Sequence, residues 1–150
     1  MTEGERYQEQ RNYAKAVETY RKALNDQKLR SIFKQHLMYR IAWCLQMVKQ
    51  FDGAISEYDK LLKEIQNTKY LYEAYLNKSK CALGKNDVKL ALDILEQGKA
   101  HIKSAGMEDK FVYEIDLVKA KLHMDNKQPA DGKLVYQRVA SGAGVKYPYL

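Results

Sequence analysis

Proline, glycine and cysteine are scarce in this sequence, and no long apolar run occurs in it. Two prolines and eight glycines in 150 residues leave little material for the tight turns of an all-β domain. Two cysteines are too few for a disulfide scaffold. No run approaches the roughly 20 apolar residues that span a bilayer, and the polar start shows no signal-peptide core. Because helix-forming Lys, Leu, Ala and Glu are abundant, we predict an all-α domain without membrane insertion.

A segment with an excess of one charge is also absent. The net charge is +7, with 13 basic and 10 acidic residues in positions 1–75 and 13 and 9 in positions 76–150. This even spread excludes a basic arm and favours a solvated surface of mixed charge. The alternative is a basic module that binds nucleic acid or an acidic surface, which requires a set of lysines to converge on one face. That set is Lys78, Lys80, Lys85, Lys89, Lys99 and Lys103.

What the sequence has instead is a pattern that repeats about every 37 or 38 residues. Apolar residues recur at the i, i+3, i+4, i+7 spacing of a helix with one buried face in three segments. These segments are residues 13–24, 51–62 and 88–98. Ala16, Ala54 and Ala91 hold the same place in them, 38 and 37 residues apart. An internal period of this size is typical of stacked helical hairpins.

Another helical pattern precedes each of these segments. The longest of these first helices is expected within residues 31–49. Its apolar positions are Ile32, Phe33, Leu37, Met38, Ile41, Ala42, Leu45 and Val48. We expect these side chains to form the buried face of that helix.

The two cysteines hold matching places on successive first helices, because Cys44 and Cys81 are 37 residues apart. Matching places on packed neighbouring helices are about 8–10 Å apart, whereas a disulfide needs Cα atoms within about 7 Å. We therefore predict two buried thiols in a reducing compartment and a cytoplasmic protein.

These features resemble the tetratricopeptide repeat, a helix–turn–helix unit with small and aromatic residues at fixed places. Its small first-helix residue is matched at four positions, Gly4, Ala42, Ser79 and Ala120. Tyr20 and Tyr58 match the aromatic residue of the second helix and Tyr136 matches it loosely, whereas Leu95 departs from it. Spacings of 37 to 41 residues resemble the elongated repeats of kinesin-light-chain-like proteins and bacterial peptide-sensing regulators. The resemblance implies a right-handed α-solenoid of about seven to eight helices.

The resemblance covers nearly the whole chain and makes it a single domain of four repeats. The repeats are expected at roughly residues 1–28, 31–67, 69–104 and 109–140. Residues 141–150 are expected to be a tail or the start of a further repeat. In the last repeat a closing helix is expected at 133–139, with Gly132 as its small residue. Terminal repeats usually carry a polar cap, so the apolar end at 147–150 leads us to expect a fragment of a longer protein. The alternative for that end is self-association with another copy.

No catalytic or metal site is predicted. His36, His101 and His123 are far apart and match no metal-ligand spacing. No phosphate-binding glycine loop or nucleophile-elbow motif occurs in the sequence. We therefore predict a protein that is not an enzyme and uses no cofactor.

The resemblance also implies that the first helices line a groove that receives a peptide or a helix. Partner-binding residues are predicted at Tyr39, Arg40, Trp43, Met47, Asn77 and Lys80, with His36, Gln46, Glu73 and Leu76 beside them. Trp, Tyr, Arg and Met are enriched at interfaces. We expect Asn77 to pair with a ligand backbone amide and Arg40 to hold a carboxylate. The alternative is that Trp43 and Met47 only pack under a neighbouring helix.

The sequence thus predicts a scaffold or adaptor that binds a protein or peptide. The clamp by which some repeats of this family hold the C-termini of heat-shock chaperones is not expected, because Glu5 and Glu73 stand where it needs basic or amide side chains. A second alternative function is a regulatory or sensor domain of a larger signalling protein.

Overall fold

The computed structural model describes residues 2–65 and 69–125, and within them every regular element is an α-helix. The helices are α1 (Glu3–Glu9), α2 (Tyr13–Leu24), α3 (Ser31–Met47), α4 (Phe51–Glu64), α5 (Lys69–Gly84), α6 (Val88–Ser104) and α7 (Asp109–Asp125). None of these helices is both long and apolar enough to cross a bilayer. The predicted closing helix at 133–139, Gly132 and the apolar end at 147–150 lie outside the described residues.

The helices pack mainly against their neighbours in the chain. Three hairpins, α1–α2, α3–α4 and α5–α6, stack in order, and α7 packs on α6. A direct contact between α3 and α5 joins the first helices of adjacent hairpins. The chain is therefore an all-α solenoid of helical repeats, as predicted, in which the first helices α3 and α5 lie side by side.

Each hairpin turns through the same backbone conformation. The residue two positions before each second helix has a left-handed φ: 58° at Arg11, 63° at Lys49 and 61° at Asn86. The next residue then donates its N–H to a carbonyl five residues back, as in Gln50 N to Leu45 O at 2.9 Å. This bond satisfies a carbonyl at the end of the first helix. Asn is common in this conformation, whereas Arg and Lys are unusual in it, so the residue types at Arg11 and Lys49 did not signal a left-handed φ.

Side chains cap the second helices of two hairpins. Asn12 Oδ1 accepts from the Lys15 N–H at 3.3 Å, and Asp87 Oδ1 accepts from the Leu90 N–H at 2.9 Å. Each cap satisfies a backbone donor that has no partner within its own helix.

Small residues lie where the helices approach most closely. The small residues of the predicted repeats that lie in the described part of the chain are buried: Gly4, Ala16, Ala42, Ala54, Ser79, Ala91 and Ala120. The aromatic residues Tyr20 and Tyr58 are buried as well, and the Tyr20 ring lies directly against Gly4. The helices interlock here because a larger side chain would occupy the space of the partner ring.

Both cysteines are buried free thiols, as predicted. Burial raises the pKa of Cys44 and of Cys81 to about 11. Thiolate is the reactive form of cysteine, so these side chains behave as small apolar groups in the core.

Part of the predicted buried face of α3 is wrong. Ile32 is 64% exposed, Phe33 is 55% exposed, and Val48 is exposed just beyond the end of the helix. The buried residues of α3 are Gln35, Met38, Ile41, Ala42 and Cys44. At 100° per residue Ile32 falls outside their arc, whereas Phe33 points almost the same way as Cys44, so its exposure depends on what packs beside the first turn of α3. Apolar residues surround most of α3, so its periodicity could not show which side faces the core.

Gly98 tests the close approach between α5 and α6. A Cβ added there would lie 2.7 Å from Tyr75 Cγ and 2.9 Å from Tyr75 Cβ, at the rigid root of the side chain. Alanine normally stabilises a helix by about 0.5–1 kcal/mol relative to glycine. At Gly98 we expect the opposite, because overpacking costs about 1–3 kcal/mol. Urea unfolding of Gly98→Ala measures this loss.

Gly53→Ala is the matched control. Its added Cβ would meet Leu45 Cδ1 at 3.7 Å, an ordinary contact, and we expect a gain of up to about 1 kcal/mol. A stabilised Gly98→Ala variant would contradict the close packing described here.

Candidate functional site

Three of the predicted partner-binding residues line one pocket between α3 and α5. The pocket has a volume of about 390 Å³. Its lining consists of His36, Tyr39, Arg40, Trp43, Tyr70 and Glu73. We call it the α3–α5 pocket. Met47, Asn77 and Lys80, the other three predicted residues, are not in its lining.

Aromatic contacts hold the two walls of the α3–α5 pocket together. His36 Nδ1 and the Tyr70 hydroxyl form a hydrogen bond of 2.8 Å. The rings of Tyr39 and Tyr70 are tilted by 38° with their centroids 5.2 Å apart. Aromatic pairs at such distances contribute a favourable interaction energy in addition to the free energy of burying their surface. The rings therefore fix α3 against α5 at the pocket.

A chain of hydrogen bonds beneath the pocket uses Asn77. The Tyr58 hydroxyl donates to Gln46 Oε1 at 2.8 Å, and Gln46 Nε2 donates to Asn77 Oδ1 at 3.5 Å. Asn77 Nδ2 donates to the Tyr39 hydroxyl at 3.1 Å and to the Glu73 carbonyl at 3.0 Å. Both amide hydrogens of Asn77 are thus engaged within the protein. Asn77 therefore positions Tyr39 from within the protein.

Arg40 carries an unsatisfied donor in the α3–α5 pocket. In residues 2–65 and 69–125, its Nε is the one buried side-chain nitrogen or oxygen without a hydrogen-bond partner. The residue as a whole is half-buried. A buried donor without a partner loses its hydration without compensation. Because the Nε atom is closed off from the surface, this unpaired donor is a local cost of the packing around Arg40 and is not presented to the α3–α5 pocket.

Trp43 both packs in the core and lines the pocket. Its ring meets Tyr13 edge-on at a centroid distance of 5.8 Å, and it lies against the cluster formed by Ala16, Tyr20, Ile41 and Cys44. One side of Trp43 thus packs against neighbouring helices, as the alternative interpretation expected, and the other side lines the α3–α5 pocket. Met47 is 39% exposed at the end of α3, and Lys80 is exposed on α5.

Tyr70 is the pocket residue that the sequence analysis missed. It lies seven residues before Asn77, which is two helical turns and hence the same face of α5. Extending the predicted face of α5 by two turns would have included it. Its partnership with His36 on α3 depends on tertiary packing.

Burial and a nearby carboxylate affect the acidity of Tyr39. Burial is the main cause that raises the pKa of Tyr39 to about 12, and the Glu73 carboxylate adds to it. Both disfavour the charged phenolate. Tyr39 is accordingly a neutral hydroxyl at physiological pH and presents a hydrogen-bonding group to the pocket.

The raised pKa of Tyr39 predicts a loss of stability in alkali. The folded-state pKa is about 12 and the unfolded value is about 10, so Tyr39 opposes folding increasingly as the pH rises from about 10 to 12. Between pH 8 and pH 11, Tyr39→Phe should lose about 1 kcal/mol less stability than wild type, because phenylalanine does not ionise. Urea unfolding at both pH values measures the difference. Equal losses in the two proteins would show that Tyr39 ionises normally.

Comparison with known proteins identifies the fold. No protein-family model and no curated protein sequence matches the chain. The chain is similar to the TPR-like repeats of a protein described as a kinesin light chain of Podosopora anserina, with a TM-score of 0.72 at 15% identity over 96% of this chain and 74% of that one.

Two further solved structures have the same architecture. MamA has a TM-score of 0.67 at 13% identity, over 94% of this chain and 74% of that one. A TPR repeats protein of Bacteroides fragilis has a TM-score of 0.58 at 20% identity, over 92% and 59%. The chain therefore has the fold of tetratricopeptide-like helical repeats.

Proposed function

We propose that the protein is a non-enzymatic scaffold that binds a peptide or helical segment of a partner protein between α3 and α5. The α3–α5 pocket, with its aromatic walls and the half-buried Arg40 in its lining, is the observation that carries this proposal. Concave sites lined by aromatic groups with a few polar ones are typical of ligand binding. The general role of such repeats as protein-interaction scaffolds supports it.

The pocket lining contains the residue types that dominate binding energies. Trp43, Tyr39 and Arg40 belong to the three types enriched among interface hot spots. Tyr39 is held from below by Asn77 and from the side by Tyr70, so its ring is already oriented before a partner arrives. Preorganised groups lose less entropy on binding. Met47 and Lys80 extend the proposed surface beyond the pocket along α3 and α5.

Ion pairs weaken the case for a nucleic-acid module. Three of the six lysines on which that alternative depends are bonded to carboxylates: Lys78 to Asp59 at 2.6 Å, Lys85 to Asp52 at 2.5 Å and Lys99 to Asp116 at 2.9 Å. A lysine that already neutralises a carboxylate contributes less to phosphate binding. These ion pairs link neighbouring helices, so we assign their lysines to the stacking of the repeats.

We also propose that the scaffold works in the cytoplasm. Cys44 and Cys81 are free and buried, which suits a reducing compartment in which no disulfide is needed for stability.

A pull-down from source lysate tests the groove, with wild type and a Tyr39→Ala/Trp43→Ala variant compared in the presence and absence of nuclease. We expect a protein that wild type captures with or without nuclease and that the variant loses at least tenfold, because two aromatic anchors are removed. Mass spectrometry identifies and quantifies it.

Tyr72→Ala/Phe111→Ala is the matched control for that pull-down. It also removes two partly buried aromatic residues, whose rings are 5.2 Å apart between α5 and α7, but neither lines the α3–α5 pocket. Capture should survive in this control. Capture that depends on nucleic acid, or that both double variants lose equally, would contradict the proposed groove.

A further inference from the structure

We propose that the protein has a second docking site, beside α1, which receives an amphipathic helix of a partner protein. The site is the surface between Ala23 of α2 and Phe33 of α3, and we call it the α1 gap. Neither residue lines the α3–α5 pocket, so this inference goes beyond the proposed function. The bound helix would continue the row of first helices at the place that α1 does not reach.

The α1 gap exists because α1 is shorter than the other first helices. Gly4 is the second residue of α1, whereas the matching Ala42 is the twelfth residue of α3 and Ser79 is the eleventh residue of α5. Before its small residue, α1 therefore lacks about ten residues that α3 has, which correspond to about 15 Å of helix.

The residues at the start of α1 fix this short length. The Thr2 side chain accepts from the Glu5 N–H at 3.2 Å, and the Glu5 carboxylate accepts from the Thr2 N–H at 2.8 Å. These reciprocal bonds form a capping box, and the backbone of Thr2 is extended. A capping box marks the first turn of a helix, so α1 begins here because its own sequence caps it.

The wall of the gap on α2 is uncovered. Ala23 lies three residues after Tyr20, on the side of α2 that packs against α1, and it is exposed. At the matching place of the next two hairpins, Leu61 is 0% exposed and Gly98 is buried against Tyr75 of α5. In the third hairpin a turn of the first helix thus covers this place, and α1 lacks that turn.

The wall of the gap on α3 is uncovered for the same reason. Phe33 points almost the same way as Cys44, whose Sγ lies 3.9 Å from the Gln8 Oε1 of α1. Phe33 therefore faces the row that α1 occupies. The matching residue of α5, Tyr70, contacts the preceding first helix through the ring of Tyr39. Because α1 does not extend to the level of Phe33, that ring is 55% exposed.

These walls specify an amphipathic helix with a large apolar residue. In the third hairpin the small Gly98 leaves room for the Tyr75 ring, so we expect the small Ala23 to leave room for a side chain of similar size. Apolar residues on the adjacent side of the same helix would cover Phe33. The gap also continues the interface that α1 already forms with α2, and an amphipathic helix buries its apolar face in such a groove.

The occupant is a partner protein and not a second copy of this chain. Each of the seven helices in residues 2–65 and 69–125 already packs against a neighbouring helix, so that part of a second copy offers no unpacked helix. Residues 25–30, beside the gap, contain Lys28 and Arg30 but only one acid, Asp26. Two copies that met at the gap would bring these positive segments together, and like charges repel.

Two alanine-rich helical peptides of about 18 residues serve as probes, because shorter helices are marginal in water. The first has a central tyrosine, with leucine two positions before it and one position after it. This spacing copies His36, Met38 and Tyr39 of α3, where Met38 holds the place that matches Tyr75. The second probe has alanine at all three positions.

The Ala23 methyl group reports binding directly, because it forms one wall of the gap. Its signal is followed by NMR in the full chain, with isotope-labelled alanine, during titration with each probe. We expect the tyrosine probe to shift this signal and to bind about tenfold more tightly than the alanine probe, since apolar surface is buried. In Phe33→Ala the tyrosine probe should bind about tenfold more weakly.

Ile32→Ala is the matched control variant. Ile32 is 64% exposed and adjacent to Phe33, but it points about 100° away around α3 and therefore out of the gap. Binding of the tyrosine probe should persist in this variant, and circular dichroism of both variants checks that the helices are intact. An equal loss of affinity in both variants would assign binding to apolar exposure in general and overturn the site.

Three other outcomes would also overturn the inference. Equal binding of the two probes, or no shift of the Ala23 signal with either, would exclude an apolar helix as the occupant. A dimer that sedimentation equilibrium detects in wild type but not in Phe33→Ala would assign the gap to a second copy. Trp43 is the one tryptophan of the chain and lines the α3–α5 pocket. A probe that shifts its indole signal and not the Ala23 signal would bind in that pocket instead.

Discussion

The close approach of the two helices within each hairpin is the constraint on which the rest of the structure depends. Helices can approach this closely only where one of them carries a small residue. Gly4 leaves room for the ring of Tyr20, and Gly98 leaves room for the root of Tyr75. Buried small residues recur about every 37 or 38 residues. Because of this repeat, each hairpin can pack its two helices in the same way as the one before it. Similar hairpins stack in register, which places α3 beside α5.

The turns complete this constraint from the backbone side. Arg11, Lys49 and Asn86 adopt the same left-handed conformation. This backbone conformation is energetically unfavourable for most residues other than glycine and asparagine. The neighbouring hydrogen bonds and the packed helices hold them in place. The three hairpins therefore turn through the same backbone conformation.

The candidate site divides into a fixed floor and an available rim. Asn77 and Gln46 connect Tyr39 to the buried Tyr58, so the floor is a continuation of the core. The exposed part of Arg40 and the pocket-facing side of Trp43 belong to the rim. The groups that orient the site are therefore different from those that face the pocket.

The sequence by itself determined the helices, the interval between repeats and the burial of the small residues, because these depend on spacings within one or two turns of a helix. Only the tertiary structure decided that Phe33 is exposed, that Tyr70 joins His36 and that Asn77 bonds Tyr39. Tyr70 and Asn77 meet partners 34 and 38 residues away in the chain, and the exposure of Phe33 depends on which side of α3, a helix with apolar residues on most sides, its neighbours cover. Local periodicity contains no information on either, because both depend on how one hairpin sits on the next.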